Sequence, residues 1–264
     1  MNPVQSQGTA LITGASSGIG AIYAERLATR GYDLLLVARD EQRLEAAATR
    51  LRAEHGVQVE VLKADLTLRA DLSRVEQRLR SDSNISLLLN NAGIAADGPL
   101  ANADMDQMER MIQLNVVAVT RLASAAAQSF SAAGRGAIIN VGSVVALIPE
   151  RFNATYAATK AYVLSLTQSL NAELDGSGVQ VQAVLPGVTR TEIWERSGID
   201  AGAIPAEMVM EADEMVGAAL AGFDQGELIT IPSLPDAADW EAISAARHAL
   251  GPNLSKSSAA ARYK

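Results

Sequence analysis

The chain has 264 residues, 48% hydrophobic and 20% charged, with a formal charge of −8 and no cysteine. The acidic balance argues against a nucleic-acid partner, which needs clustered cations, and the lack of cysteine excludes disulfides, thiolate catalysis and Cys-ligated zinc. The first residues show no basic segment followed by an apolar one, and no apolar run approaches the roughly 18 residues of a membrane span, so a cytoplasmic protein without membrane contact is expected.

Short apolar runs rich in β-branched residues predict strands at 9–13, 33–38, 58–62, 85–90, 137–141, 179–185 and 228–231. Several are apolar throughout, the pattern of strands covered on both faces of a parallel sheet. Helical patterns fill the intervals. In 41–54, for example, Leu44, Ala47, Ala48 and Leu51 share one face. This alternation predicts an α/β fold, a single doubly wound Rossmann domain with a mostly parallel seven-stranded sheet and helices on both faces. No repeat or linker interrupts it, and residues 1–264 read as one domain. The stretches 105–130 and 155–174 are apolar on several sides and need a second buried surface. A second subunit would supply it in a homodimer or homotetramer; the alternative is cover from the chain's own C-terminal segment.

In such sheets ligands bind beyond the carboxyl ends of the strands. The first strand runs into Gly14, Ala15, Ser16, Ser17, Gly18, Ile19 and Gly20, a G-x-x-x-G-x-G turn that opens a helix. Glycines there let the backbone approach a pyrophosphate, and the helix N-terminus offers unpaired N–H groups and positive potential. The second strand ends at Ala38, followed by Arg39. An acidic residue at that point would hold the ribose 2′-hydroxyl of NAD, whereas a planar guanidinium suits a 2′-phosphate. NADP(H) is therefore the expected cofactor, with NAD(H) the alternative and Arg39 otherwise an ordinary surface arginine.

Together with these motifs, Asp65 after the third strand, Asn90-Asn91-Ala92-Gly93 after the fourth, Asn115, Ser143, Tyr156-x-x-x-Lys160 and Pro186-Gly187-x-x-x-Thr191 make the chain resemble the short-chain dehydrogenase/reductase family from about Thr9 to Thr191. The resemblance implies hydride transfer between a nicotinamide and a carbonyl or secondary alcohol. It implies adenine and ribose contacts at Asp65, Leu66, Asn91, Ala92 and Gly93, and carboxamide contacts at Pro186, Gly187, Val188 and Thr191. It also implies that Ser143, 13 residues before Tyr156, orients the substrate oxygen, that Lys160 holds the nicotinamide ribose, and that Asn115 anchors a water passing protons to Lys160. A structural hydrogen bond is the other reading of Asn115, since a buried amide must find partners.

Tyr156 and Lys160 stand four apart, on one helical face and about 6 Å apart along the axis. A buried ammonium about 5 Å away is worth roughly 3 kcal/mol at an effective dielectric of about 20. It is expected to lower the phenol, ordinarily near 10, by about two units, which suits a general acid/base. With only His55 and His248, neither a metal site nor a Ser-His-Asp triad is expected, and both histidines read as surface or packing residues.

For substrate, Ser143, Val145, Leu147 and Ile148 either line an apolar pocket or fill the core. Residues 188–210, with Ile193, Trp194, Ile199, Ile204, Met208 and Met210 broken by glycines, read as a substrate lid or as a loop covering the core. Thr167–Leu174 carries no basic residue, and Glu173 and Asp175 are acidic, which counts against an acidic carrier protein. The reading is an NADP(H)-dependent oxidoreductase acting on a small carbonyl or alcohol. The alternatives are a non-enzymatic NADP-sensing or interaction protein, or an isomerase or dehydratase that retains its cofactor.

Overall fold

Strands form where the seven apolar runs predict them, at β1 (Thr9–Thr13), β2 (Asp33–Ala38), β3 (Val59–Lys63), β4 (Ile85–Asn90), β5 (Gly136–Val141), β6 (Val179–Val184) and β9 (Ile229–Thr230). Two short strands that no apolar run marks, β7 (Thr189–Arg190) and β8 (Met210–Glu211), lie between β6 and β9 in the chain. The structure, a computed structural model, describes residues 7–192 and 204–264. Seven strands make one sheet in the order β3-β2-β1-β4-β5-β6-β9, with every pairing parallel. The expected doubly wound fold is present. The β3 strand starts one residue later than its hydrophobic run, and β9 shrinks to the two residues that pair with β6.

The helices are α1 (Gly18–Thr29), α2 (Glu41–His55), α3 (Arg69–Ser81), α4 (Met105–Ile112), α5 (Val119–Ala133), α6 (Ala154–Glu173), α7 (Ala212–Asp224) and α8 (Ala237–Ala249). They bury their apolar faces in two layers. On one side of the sheet, Tyr23, Leu27, Leu44, Leu51, Met215 and Leu220 pack over Leu34 and Leu36. On the other, Leu72, Val75, Leu79, Leu122, Phe130 and Leu170 pack over Leu35 and Val37. Successive residues of β2 thus feed opposite layers, which is why that strand is apolar without alternation.

The 105–130 pattern forms a helical run from Met105 to Ala133, interrupted by a π-helical segment at Gln113–Ala118. The 155–174 pattern forms α6, and Ile112 on α4 and Tyr162 on α6 remain exposed. A small parallel pair, β7 with β8, fixes the base of the segment read as a lid, and Met210 N–H donates to Val188 O at 2.9 Å. Residues 193–203, the middle of that segment, lie outside the described residues.

The chain divides into two compact units, Met1–Pro232 and Ser233–Lys264. The second contains α8, capped by Asp236, whose side chain accepts from Ala238 N–H at 2.9 Å; none of its helical residues is buried. Among the described residues no helix is long and apolar enough to cross a membrane.

Candidate active site

The carboxyl ends of β1, β2, β4, β5 and β6 open on one cleft of about 1130 Å³, above the roughly 300–1,000 Å³ of an ordinary ligand pocket. At one end, β1 passes into Gly14, whose φ of +68° suits glycine and whose N–H donates to Val37 O at 2.8 Å. A Cβ at Gly20 would collide with the Gly14 carbonyl oxygen and lie 2.5 Å from Asn91 Nδ2, so Gly20 lets α1 start tight beneath the turn. The N-cap Ser17 makes no side-chain cap bond, leaving the first N–H groups of α1 facing the cleft mouth. Ser16, Ser17, Gly18 and Ile19 line the cleft with Gly14, while Gly20 supports the turn from below.

The turn is pinned by Thr13, the residue that opens the glycine motif and to which its sequence pattern gives no role. Thr13 Oγ1 donates to Leu89 O and accepts from the N–H groups of Asn91 and Ala92 at 2.9 and 3.0 Å. The Asn91 side chain donates to Thr13 O at 2.9 Å, so this amide knits β1 to β4 while its residue lines the cleft. Ala92 and Gly93 continue the wall, and a Cβ at Gly93 would come within 3.2 Å of Asn115 Oδ1. Asp65 lines the cleft with Leu66 and accepts from Thr67 N–H and Oγ1–H at 3.0 and 2.7 Å, which shapes the turn between them and α3.

At the end of β2, Arg39 is exposed and lines the cleft, with no ion-pair partner among the described residues. Asp40, which also lines the cleft, caps α2 by accepting from Arg43 N–H at 3.0 Å. Arg43, a second cleft arginine, was not singled out from the sequence; its spacing four after Arg39 was the available signal.

The other end of the cleft is built by α6 and the loop after β5. Asn153 caps α6 by accepting from Tyr156 N–H at 3.0 Å and donates to Gly98 O at 2.8 Å, tying α6 to the 94–99 loop. An asparagine three residues before Tyr156 at the start of a helical pattern is a readable cap signal. Ser143 follows β5, accepts from Val145 N–H at 3.3 Å and lines the cleft with Tyr156 and Lys160. Lys160 is buried, with Nζ donating to Val141 O at 3.0 Å and standing 5.8 Å from the Tyr156 ring centroid. Pro186, Gly187, Val188 and Thr191 line the facing wall.

The electrostatics correct one expectation. Burial pushes Tyr156 up to about 12, and the Ser143 hydroxyl lowers it only in part. Lys160 is itself pulled down to about 8 by burial. Its ammonium is therefore a weak acidifier, and its hydrogen bond is spent on a backbone carbonyl. The phenol's contact with the apolar cluster of Ala96, Met108 and Met111 adds to the same desolvation. Among protein groups alone, burial wins over the nearby cation.

Asn115 is buried in the π-helical segment, where its Oδ1 accepts from Ile94 N–H at 3.0 Å and its Nδ2 donates to Ile94 O at 2.9 Å. The side chain itself thus makes the structural bonds of the second reading. Val145 lines the cleft, but Ile148 does not; it precedes a short 3₁₀ turn and is 36% exposed, and Phe152 takes the place at the rim. Trp194 lies outside the described residues, and Ile204 reaches the cleft.

His55 pairs with Glu25 at 2.6 Å beside Glu54. Arg50 bridges both carboxylates at 2.5 and 2.6 Å, supplying the positive charge that a metal would bring. His248 is exposed in the last turn of α8.

The groups present fit a dinucleotide: an uncapped helix N-terminus behind glycines, a guanidinium after β2 with no ion-pair partner among the described residues, and a cleft continuous from both to Tyr156. Comparison with known proteins agrees. The family model for short chain dehydrogenase matches residues 8–201. The chain is 56% identical to a solved short-chain dehydrogenase from Sphingobium yanoikuyae in complex with NADPH, over 97% of this chain and all of that one, with a TM-score of 0.95. It is 47% identical to the bulky-bulky ketone specific alcohol dehydrogenase from Comamonas testosteroni, over 98% and 99% of the two chains, with a TM-score of 0.91. It is also 32% identical to the 3-oxoacyl-[acyl-carrier-protein] reductase of Escherichia coli, over 84% of this chain and 92% of that protein.

Proposed function

The chain belongs to the short-chain dehydrogenase family, nicotinamide-dependent oxidoreductases acting on carbonyl and alcohol groups, and from that premise we propose that it reduces bulky ketones with NADPH, with Tyr156 as the proton donor. The observation that carries this reading is the convergence of Ser143, Tyr156 and Lys160 on one wall of the cleft whose far end holds the glycine turn and Arg39.

A bound nicotinamide would supply the hydride. The protein's part is placement and protonation. Burial keeps Tyr156 protonated at neutral pH, the state needed to donate to a carbonyl oxygen. Ser143 orients that oxygen from the adjoining loop, and Lys160, still largely protonated near pH 7, faces the position where the nicotinamide ribose would lie. Gly14, Ser16, Ser17, Gly18, Ile19 and the helix end behind them hold the pyrophosphate, and Arg39 holds the 2′-phosphate. The Arg39 guanidinium, unpaired among the described residues, supports NADP(H), and so does the NADPH complex of the Sphingobium relative.

For substrate, Leu114, Val145, Phe152 and Ile204 give the reactive end an apolar lining, which supports a ketone with sizeable apolar groups, as does the Comamonas relative's stated specificity. Homo-oligomerisation through the exposed faces of α4 and α6, at Ile112 and Tyr162, belongs to the same proposal and is checked by light scattering.

The test is turnover of a diaryl or aryl-alkyl ketone panel with NADPH and NADH. Tyr156→Phe should lower kcat by about 10²–10⁴-fold while NADPH binding stays within about twofold, because only the proton donor is removed. Arg39→Asp should shift preference toward NADH. Retained turnover in the phenylalanine variant, or an unchanged cofactor preference in the aspartate variant, would remove the corresponding half of the proposal.

A further inference from the structure

The two arginines at the adenosine end of the cleft differ in what they already hold. Arg39 has no hydrogen-bond or ion-pair partner among the described residues. Arg43 is engaged. Its Nη1 lies 2.9 and 3.2 Å from the two carboxylate oxygens of Glu192, and its Nε lies 3.4 Å from Asp40 Oδ2. Glu192 comes from the opposite wall, directly after Thr191, 149 positions along the chain. Asp40, Arg43 and Glu192 all line the cleft that Arg39 lines.

Resting on the NADP(H) reading above, we propose that Arg43 is a second ligand for the cofactor's 2′-phosphate and that Glu192 competes for it, so that Glu192 sets how sharply the enzyme separates NADP(H) from NAD(H). A phosphate monoester carries close to two negative charges and three acceptor oxygens, against one charge on the carboxylate. A planar guanidinium one helical turn from Arg39 is suited to sharing it.

The existing pair is easily given up, since both side chains are about half exposed and water screens their attraction. Asp40 stays behind, held as the cap of α2 by the Arg43 backbone N–H. NAD(H) has a hydroxyl at the same carbon and offers Arg43 no reason to leave Glu192. The carboxylate therefore tempers affinity for the phosphorylated cofactor only.

The experiment measures binding of adenosine 2′,5′-bisphosphate and of AMP by calorimetry to the full-length protein and to Arg39→Gln, Arg43→Gln, Glu192→Gln and Arg43→Gln/Glu192→Gln variants. The two probes differ only by the 2′-phosphate, and AMP affinity reports that each variant remains folded. Glu192→Gln should tighten the bisphosphate about two- to fivefold, the range of an exposed ion pair, with AMP unchanged. Arg43→Gln should weaken the bisphosphate about tenfold, and Glu192→Gln should have no further effect in that background.

If Glu192→Gln leaves the bisphosphate unchanged, or moves both probes equally, the competition is wrong. If Arg39→Gln weakens the bisphosphate while Arg43→Gln does not, this inference falls and the NADP(H) reading stands. If Arg39→Gln leaves the ratio of the two affinities unchanged, the NADP(H) reading itself falls.

Discussion

Replacing Lys160 with methionine should make the protein's stability less dependent on alkaline pH, by an amount the structure fixes. Lys160 is 8% exposed, and burial pulls it from 10.5 to about 8. Below pH 8 it is charged in both folded and unfolded chains, and the folded state bears the whole penalty of the buried ammonium. Between about 8 and 10.5 it is neutral only when folded, so the unfolded chain binds the extra proton and stability rises with pH. Above 10.5 both are neutral and the penalty is gone.

The gap of about 2.5 units corresponds to about 3 kcal/mol at neutral pH. Most of the relief, about 2 kcal/mol, arrives between pH 7 and 9.5. Methionine fills a similar volume without titrating. The assay is urea unfolding of the two proteins, without added cofactor, at pH 7 and pH 9.5. The variant's advantage over wild type should shrink by about 2 kcal/mol from the lower to the higher pH. Comparing two pH values cancels the packing change and the lost bond to Val141 O, which do not titrate. An advantage that is equal at the two pH values, or grows at the higher one, would mean that Lys160 is not held near 8.

Two further substitutions test the packing that carries the site. Tyr23 is fully buried on α1, its hydroxyl has no hydrogen-bond partner among the described residues, and burial holds its phenol far above the usual range. Tyr23→Phe should raise stability by about 1 kcal/mol in urea unfolding, and a loss of that size would reveal a partner for the hydroxyl. Glu76, 3% exposed between α3 and α5, has Oε1 2.5 Å from Arg121 Nε and accepts a hydrogen bond from Arg121 Nη2 at 2.5 Å. Arg121→Ala leaves Arg80 at 3.9 Å as a distant counter-charge and should cost about 3 kcal/mol. The double variant Glu76→Leu/Arg121→Met should recover most of that loss, because it strands no charge.

How legible the site was depends on the range of the interactions that make it. The glycine turn and the Tyr156–Lys160 pair were readable because each is a local relation, set by bonded geometry within one turn; the Asn153 cap is equally local but was not singled out from the sequence. Thr13 was not readable, since its role is a triangle of bonds to residues 76–79 positions away. Asn115 itself was readable as a buried amide in need of partners, but not which partners, because Ile94 lies 21 positions back. The exchange of Ile148 for Phe152 at the rim turns on how a short 3₁₀ helix directs two neighbouring apolar side chains, which periodicity does not specify.

By itself the sequence determined the parallel α/β sheet, the strand ends where ligands gather, and the helical face shared by Tyr156 and Lys160, because backbone periods of 2 and 3.6 residues fix these. Only the tertiary structure decided that burial outweighs the neighbouring cation at Tyr156, and that Arg43 meets Glu192 across the cleft. Desolvation and through-space charge depend on what the closed fold packs around a group, and residue spacing along the chain does not contain that information.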